Sequence, residues 1–171
     1  EVVIDTPMPD HNAAMALVLE ALTSGPTKAI DSLDDIDAVG HRVVQGGKYF
    51  DRSVLIDDDV VAKIDELAEL APLHNKAALM GINACLKHMP DVPMVAVFDT
   101  AFHQTMPPEA FMYGVPYRYY KEMGVRRYGF HGTSHRYVSK RVCEFLGVSP
   151  IGKKIIICHL GNGSSMSAVV D

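Results

Sequence analysis

"KKIIICHLGNGSSMSAVV", Lys153 to Val170, reads as a strand, a Gly-Asn-Gly turn and a second strand. A turn of that composition makes the two strands an antiparallel pair. Working back along the chain, "VPMVAVFD", Val92 to Asp99, is a near-continuous apolar run, the pattern of a strand covered on both faces. "IDAVGHRVV", Ile36 to Val44, reads as a further strand and is followed by the loop Gln45-Gly46-Gly47. Helical patterns alternate with these strands. The expected fold class is therefore α/β, with a mixed β-sheet and flanking helices.

The helices carry their own start and stop signals. Asp10 suits the N-cap of "HNAAMALVLEALTS", and Gly25-Pro26 stops it. Asp57-Asp58-Asp59 precedes Val60, Val61, Ile64, Leu67 and Leu70, which recur at helical spacing. Acids there suit the positive end of a helix dipole. They lack the alternating spacing of a calcium loop. Pro72 opens the next helix, with Leu73, Ala77, Met80 and Ala84 expected on one face and Pro90 at its end. "SHRYVSKRVCEFLG" is helical, with Val138, Val142, Phe145 and Leu146 expected on one side and Gly147 as its stop.

Composition narrows the class. The 171 residues are 48% hydrophobic and 22% charged, with a net charge of −5. That balance suits a globular protein with a core and argues against a nucleic-acid binder, whose surface is usually basic. No apolar run approaches the roughly 18 residues of a membrane span, and no signal-peptide pattern opens the chain. Cys85, Cys143 and Cys158 form no CxxC and read as buried, reduced thiols, so a cytoplasmic protein is expected. The chain opens at "EVVID" without a start methionine and stops inside a strand pattern. A piece of a longer protein is expected.

In α/β sheets, ligands sit beyond the carboxyl ends of strands. Arg42, Asp99, His159 and Gly161 all fall near such ends. Asp99 reads either as a capping carboxylate or as a base, a metal-water ligand or an orienting group. Arg42 reads either as half of a salt bridge or as a bidentate grip on carboxylate or phosphate. Gly161-Asn162-Gly163-Ser164-Ser165 is either a plain hairpin turn or a phosphate nest of backbone N–H groups and hydroxyls. It does not lead into a helix, so it is neither a P-loop nor a dinucleotide fingerprint.

"RRYGFHGTSH", Arg126 to His135, holds two histidines four apart. Gly132 stands where a zinc hydrolase of the HExxH kind needs its glutamate, which argues against that chemistry. Thr133 or Ser134 is expected to cap the following helix, placing His131 just before a helix N-terminus, where anions are favoured. Arg126, Arg127, Arg136, Lys140 and Arg141 surround it, and no acid occurs between Glu122 and Glu144. This is either a solvated basic face or a field that attracts phosphate. His74, in "APLHN", and His103 repeat the theme of histidines near element ends. Together these residues point to an anionic, phosphorylated substrate.

"VGHRVVQGG", "APLHN", "VFDTAFHQTMP", "RRYGFHGTSH" and "HLGNGSS", in this order, closely resemble the acetate kinase family from about Ile36 onward. The family belongs with sugar kinases, heat-shock chaperone ATPases and actin, whose two ribonuclease-H-like lobes hold nucleotide between them. The resemblance implies reversible, direct in-line phosphoryl transfer from ATP to acetate, giving acetyl phosphate and ADP, with magnesium. It implies Asp99, Arg42 and His131 as catalytic residues. Val44, Leu73, Phe130 and His74, with Arg42, would bind the substrate, and His131 would stabilise the transition state. His159, Gly161, Asn162 and Gly163 would belong to a nucleotide-binding loop. No metal ligand is expected in this stretch, except Asp99 through water.

The resemblance further implies a first lobe over 1–103, without its opening strand and phosphate loop, and the start of a second lobe over 104–171. A homodimer is implied for the full-length protein. The 171-residue piece alone is expected to be inactive, since the family's N-terminal phosphate loop and adenosine loops lie outside it. Gln45 and Lys76 depart from the family's usual His and Pro. A propionate or butyrate kinase of the same family, a non-catalytic nucleotide-binding module of the actin-like fold, and a metal-dependent hydrolase are the competing readings.

Overall fold

A computed structural model describes residues 2–170. They divide into two compact units. One comprises the described residues up to Arg42 together with Val54–Ala96; the other comprises Val43–Ser53 and the described residues from Val97 on.

In the first unit, α1 (His11–Thr23) begins where expected: Asp10, in an extended conformation, accepts from the Ala13 amide at 2.8 Å. The helix ends before Gly25-Pro26, which form a 3₁₀ turn, Gly25–Thr27. Asp57 caps α2 (Asp58–Glu66) by accepting from Val60 N at 2.8 Å. Asp58 and Asp59 occupy its first turn, at the positive end of the helix dipole. Pro72 starts α3 (Pro72–His88), where its missing N–H costs nothing. Helix α1 packs on α3. Between them Leu19, Cys85, Met89 and Met94 form the core, flanked by Met15, Leu33, Ile36 and Val39. The buried amide of Asn75 donates to the Ile64 carbonyl at 3.2 Å and ties α3 to α2.

The buried face of α3 is not the expected one. Asn75, Leu79, Ile82, Ala84 and Cys85 face inward, whereas Leu73 is 83% and Met80 48% exposed. Helix α3 carries apolar residues on two faces, so spacing alone favours neither. Packing against α1 and α2 decides.

Strands β1 (Val39–Val43), β2 (Val54–Leu55) and β3 (Met94–Phe98) form a sheet in the order β1-β3-β2. Strand β2 is antiparallel to β3, with Val54 opposite Ala96 and Leu55 opposite Val95. Val39 N donates to Pro93 O at 3.0 Å and Asp99 N to Val43 O at 2.9 Å, so β1 and β3 run the same way. The sheet is mixed, as expected. Central β3 buries Met94, Ala96 and Phe98 and half-buries Val95 and Val97. Strand β1 starts later than expected, because Leu33–Asp35 is a 3₁₀ turn closed by a Ser32 capping box.

The second unit follows β3 through the 3₁₀ turn Ala101–Thr105 to α4 (Pro108–Phe111), α5 (Tyr117–Met123) and α6 (Gly132–Leu146). It closes with the hairpin β4 (Lys154–Leu160) and β5 (Ser164–Val170), in register from Leu160 opposite Ser164 to Lys154 opposite Val170. Gly161 N donates to Gly163 O at 3.1 Å across the turn. Helix α6 packs on β4 and stops at Gly147, whose left-handed conformation (φ 64°) suits a residue without Cβ.

Three expectations change in this unit. The inward residues of α6 are Gly132, His135 and Cys143, while Phe145 is 82% and Leu146 64% exposed. The buried stripe contains a hydrogen-bonded histidine, which a search for apolar spacing passes over. Cys158 is exposed on the outer face of the hairpin, although Cys85 and Cys143 are buried. Arg126 does not join the solvated basic face: its guanidinium lies 3.6 Å from the Phe111 ring centroid and 5.2 Å from that of Tyr128. Among the described residues no helix is long and apolar enough to cross a membrane.

Candidate active site

Asp99 comes directly after β3 and is 1% exposed. The strand delivers it to the loop that meets the start of α6. There the His131 amide donates to Asp99 Oδ2 at 3.3 Å and the Gly132 amide to the Asp99 carbonyl at 2.9 Å. One residue therefore holds two main-chain donors at a helix N-terminus. A β-carbon on Gly132 would lie 2.1 Å from that carbonyl, so only glycine allows the approach.

His131 is the N-cap of α6. It sits in the left-handed region (φ 55°, ψ 29°), the single non-glycine among the described residues with positive φ. Such a conformation costs on the order of 1–3 kcal/mol and persists where the surroundings over-determine it. The His131 side chain makes no capping hydrogen bond to the helix. Thr133 and Ser134, expected as caps, lie inside the first turn, and Ser134 Oγ instead pairs with His159 Nδ1 at 2.9 Å.

The His131 ring is fixed on three sides. Its Nδ1 lies 2.8 Å from Ser165 Oγ. Its face stacks on His159 at 4.1 Å and 17°. Its Cε1–Nε2 edge lies over Gly163, where an added β-carbon would meet it at 3.4 Å. His159 belongs to β4 rather than following it, opposite Ser165 of β5. Gly161 lies beside its Nε2, at 3.6 Å from an added β-carbon. The hairpin thus brings His159, Gly161 and Gly163 to His131, with Asn162 exposed at the turn's tip.

His135, one turn further along α6, is fully buried. Its Nε2 lies 2.8 Å from Ser165 Oγ and its Nδ1 2.8 Å from Ser167 Oγ. Burial, and then the nearby His103, His159 and His131 rings, push its pKa below the ordinary histidine value. The alternation of β5 places Ser165 and Ser167 on one face, two hydroxyls aimed at one imidazole. That signal was readable as Ser-x-Ser on a strand beside a histidine-bearing helix.

Behind this cluster the loop after β1 is locked to β3. Gly46 N donates to the buried Thr100 Oγ1 at 2.9 Å, and Phe50 stacks on Phe98 at 4.2 Å. Val44, in the same unit, is half-buried, and Phe130 is 42% exposed. His103 Nε2 contacts the Phe130 carbonyl at 3.0 Å. A groove of about 930 Å³ beside Phe130 is lined by Arg127, Arg136, Lys140 and Lys153 and, among the described residues, by no carboxylate. Anions are favoured in such a field.

The remaining predicted residues belong to the first unit. Arg42 lies within β1 rather than after it, and is exposed. Beside it, His41 buries its Nε2 without a hydrogen-bond partner, and burial lowers its pKa. Leu73 and His74 are exposed on the first turn of α3. Among the described residues no group of three or more His, Cys, Asp or Glu is placed to hold a metal.

The relatives of the chain are acetate kinases. The acetate kinase of Helicobacter hepaticus is 64% identical over 162 residues, covering 95% of this chain and 40% of that protein. That of Phocaeicola vulgatus is 57% identical over 169 residues, covering 99% and 42%. The crystal structure of Porphyromonas gingivalis acetate kinase superposes with a TM-score of 0.92 at 49% identity, over 99% of this chain and 42% of that one. The Entamoeba histolytica enzyme gives 0.83 at 34% identity, over 98% and 41%. The chain spans about two fifths of the length of these relatives. The acetokinase family model matches residues 1–171, and the chain belongs to that family.

Proposed function

We propose that the complete protein is an acetate kinase, a phosphotransferase with a carboxyl group as acceptor. It interconverts ATP and acetate with ADP and acetyl phosphate. The observation that carries this reading is the Asp99–His131–Gly163 constellation: a strained histidine fixed between a buried carboxylate and a glycine turn, in a chain of the acetokinase family.

In the forward direction an acetate oxygen attacks the γ-phosphorus in line. The new O–P bond forms as the bridging O–P bond to ADP breaks. Little covalent chemistry is left to the protein, so positioning and charge neutralisation set the rate. His131 Nε2 donates to the equatorial oxygens of the phosphoryl group as it crosses. Arg42 grips the acetate carboxylate or the phosphoryl group, and His74 assists. Val44, Leu73 and Phe130 hold the methyl group. His159, Gly161, Asn162 and Gly163 contact the phosphates of ATP.

Asp99 is an orienting group. Acetate, with a pKa near that of other carboxylates, is ionised at neutral pH and offers no proton to a base. Bound with ATP, magnesium would supply neutralisation of phosphate charge, and Asp99 would hold it through water, since that ion is commonly held by one or two carboxylates. The lobe division near residue 103, a homodimer and a cytoplasmic location complete the proposal.

The test is acetyl phosphate formation by the complete protein. Arg42→Ala and Asp99→Asn are each expected to lower turnover by orders of magnitude. Near-wild-type turnover in either variant removes that residue from the mechanism, and no acetyl phosphate from the wild type defeats the reading.

A further inference from the structure

The chain Ser167–His135–Ser165–His131 carries a further assignment. Its three contacts are each 2.8 Å, between Ser167 Oγ and His135 Nδ1, His135 Nε2 and Ser165 Oγ, and Ser165 Oγ and His131 Nδ1. A neutral imidazole has one donor and one acceptor nitrogen, and a hydroxyl has one hydrogen. A hydroxyl also has two lone pairs, so the chain can run in three senses. In the first, Ser167 donates to His135 Nδ1, His135 Nε2–H donates to Ser165, and Ser165 donates to His131 Nδ1. His131 then carries its hydrogen on Nε2. In the second sense every bond reverses and His131 Nε2 is a bare acceptor. In the third, Ser165 accepts from both rings, and His131 Nε2 is again bare.

The first sense alone gives every hydroxyl hydrogen of the chain a protein acceptor. Among the described residues His135 Nδ1 is the one partner of the Ser167 hydroxyl, so the second sense leaves that hydrogen without a protein acceptor. The third leaves the Ser165 hydrogen without one. The lowered pKa of His135 agrees with the neutral ring that a directional chain needs.

We propose that His135 and Ser165 are positioning residues, which hold His131 as the Nε2–H tautomer and aim that hydrogen over the Gly161–Gly163 turn. This rests on the reading of His131 as the group that meets the transferring phosphoryl. Neither His135 nor Ser165 touches the substrate. They act by removing the alternative tautomer, in which His131 offers a lone pair and repels the phosphoryl oxygens.

The test is ¹⁵N NMR of the imidazole nitrogens in the complete, ¹⁵N-histidine-labelled protein, with His131 assigned by loss of its signals in His131→Gln. The wild type is expected to show His131 protonated at Nε2 and not at Nδ1. Ser165→Ala, a mild change at a half-buried hydroxyl, is expected to give a mixture of tautomers. His135→Phe keeps the ring's packing and is expected to do the same. His135→Gln, which restores a donor toward Ser165, is expected to recover the Nε2–H form. In parallel kinetics, Ser165→Ala lowers kcat about tenfold, the worth of one hydrogen bond, with KM little changed.

A wild-type His131 protonated at Nδ1 overturns the proposal. So does an unchanged Nε2–H tautomer in both Ser165→Ala and His135→Phe. Absence of acetate phosphorylation by the wild type would defeat the kinase reading instead, and the tautomer result would still decide this one.

Discussion

The Gly132 amide donates to the main-chain carbonyl of Asp99 at 2.9 Å, and that carbonyl occupies the space a Gly132 β-carbon would need. The same loop carries the bond from His131 N to Asp99 Oδ2. Gly132→Ala must therefore push the start of α6 away from β3 and separate His131 from Asp99. Displacements of about 1 Å at a reacting centre can cost about 100-fold in rate. Turnover of Gly132→Ala in the complete protein is expected to fall by at least that factor. Gly81→Ala is the control: it lies inside α3 with no atom within 4 Å of an added β-carbon. It is expected to leave turnover intact and to raise stability by up to about 1 kcal/mol. Steady-state kinetics and thermal melts distinguish the two, and a fully active Gly132→Ala would show that the approach is not needed.

Thr100 tests the locking of the loop after β1. Its hydroxyl is fully buried and accepts from Gly46 N. Thr100→Val keeps the side-chain volume and removes the acceptor, leaving a buried N–H unpaired. The expected loss is about 1–3 kcal/mol in urea unfolding. Thr100→Ser keeps the acceptor and deletes a methyl, so it is expected to lose less. The reverse ranking would mean that packing, not the hydrogen bond, matters there.

His135 makes stability depend on pH. Its folded pKa lies below the ordinary value of 6.5, chiefly through burial and then through His103, His159 and His131. As pH falls below about 6.5, the unfolded chain takes up a proton that the folded chain refuses. The stabilisation is complete above the unfolded pKa, declines as pH drops below it, and levels off beneath the folded pKa. His41, whose pKa burial also lowers, acts in the same direction. Urea unfolding between about pH 5 and pH 8 is expected to show falling stability on the acid side, with a shallower slope in His135→Gln. Equal slopes would remove His135 as a source.

Much of the fold was legible because its punctuation is local. Asp10, Asp57, Pro72 and Gly147 each cap or start a helix through groups within four residues of themselves. Helix faces were less legible. Helices α3 and α6 present apolar residues on more than one side, and what they bury depends on partners far away in sequence. Asp99, His131 and the glycine turn, candidates in the sequence, do meet within one unit. Their supports were not legible. Thr133 and Ser134 offered good local capping chemistry, yet the Asp99 carbonyl and carboxylate take the first donors of α6. With the metal pair of His131 and His135 set aside on account of Gly132, the sequence left His135 without a role, whereas in the fold Ser165, 30 residues away from it, joins the two rings.

Substrate size tests the proposed methyl pocket. Val44 is half-buried, while Leu73 and Phe130 are exposed and free to meet a ligand. If Val44 lies against the acetate methyl, its branched side chain leaves little space for a longer acid. One methylene is worth only about 1–3 kcal/mol of discrimination in an apolar pocket. The complete protein is therefore expected to favour acetate over propionate by about 10- to 200-fold in kcat/KM, and over butyrate by more. Val44→Ala is expected to narrow the acetate–propionate gap mainly by improving propionate, because the deleted methyls make room for the extra carbon. In the proposed mechanism His131 meets the phosphoryl group, which is common to every acid, so kcat with the best substrate is expected to stay within a few-fold of wild type. Equal kcat/KM for acetate and propionate in the wild type would place the size filter elsewhere. A Val44→Ala variant that lost kcat for every acid alike would assign Val44 to the scaffold of the loop after β1 rather than to the substrate.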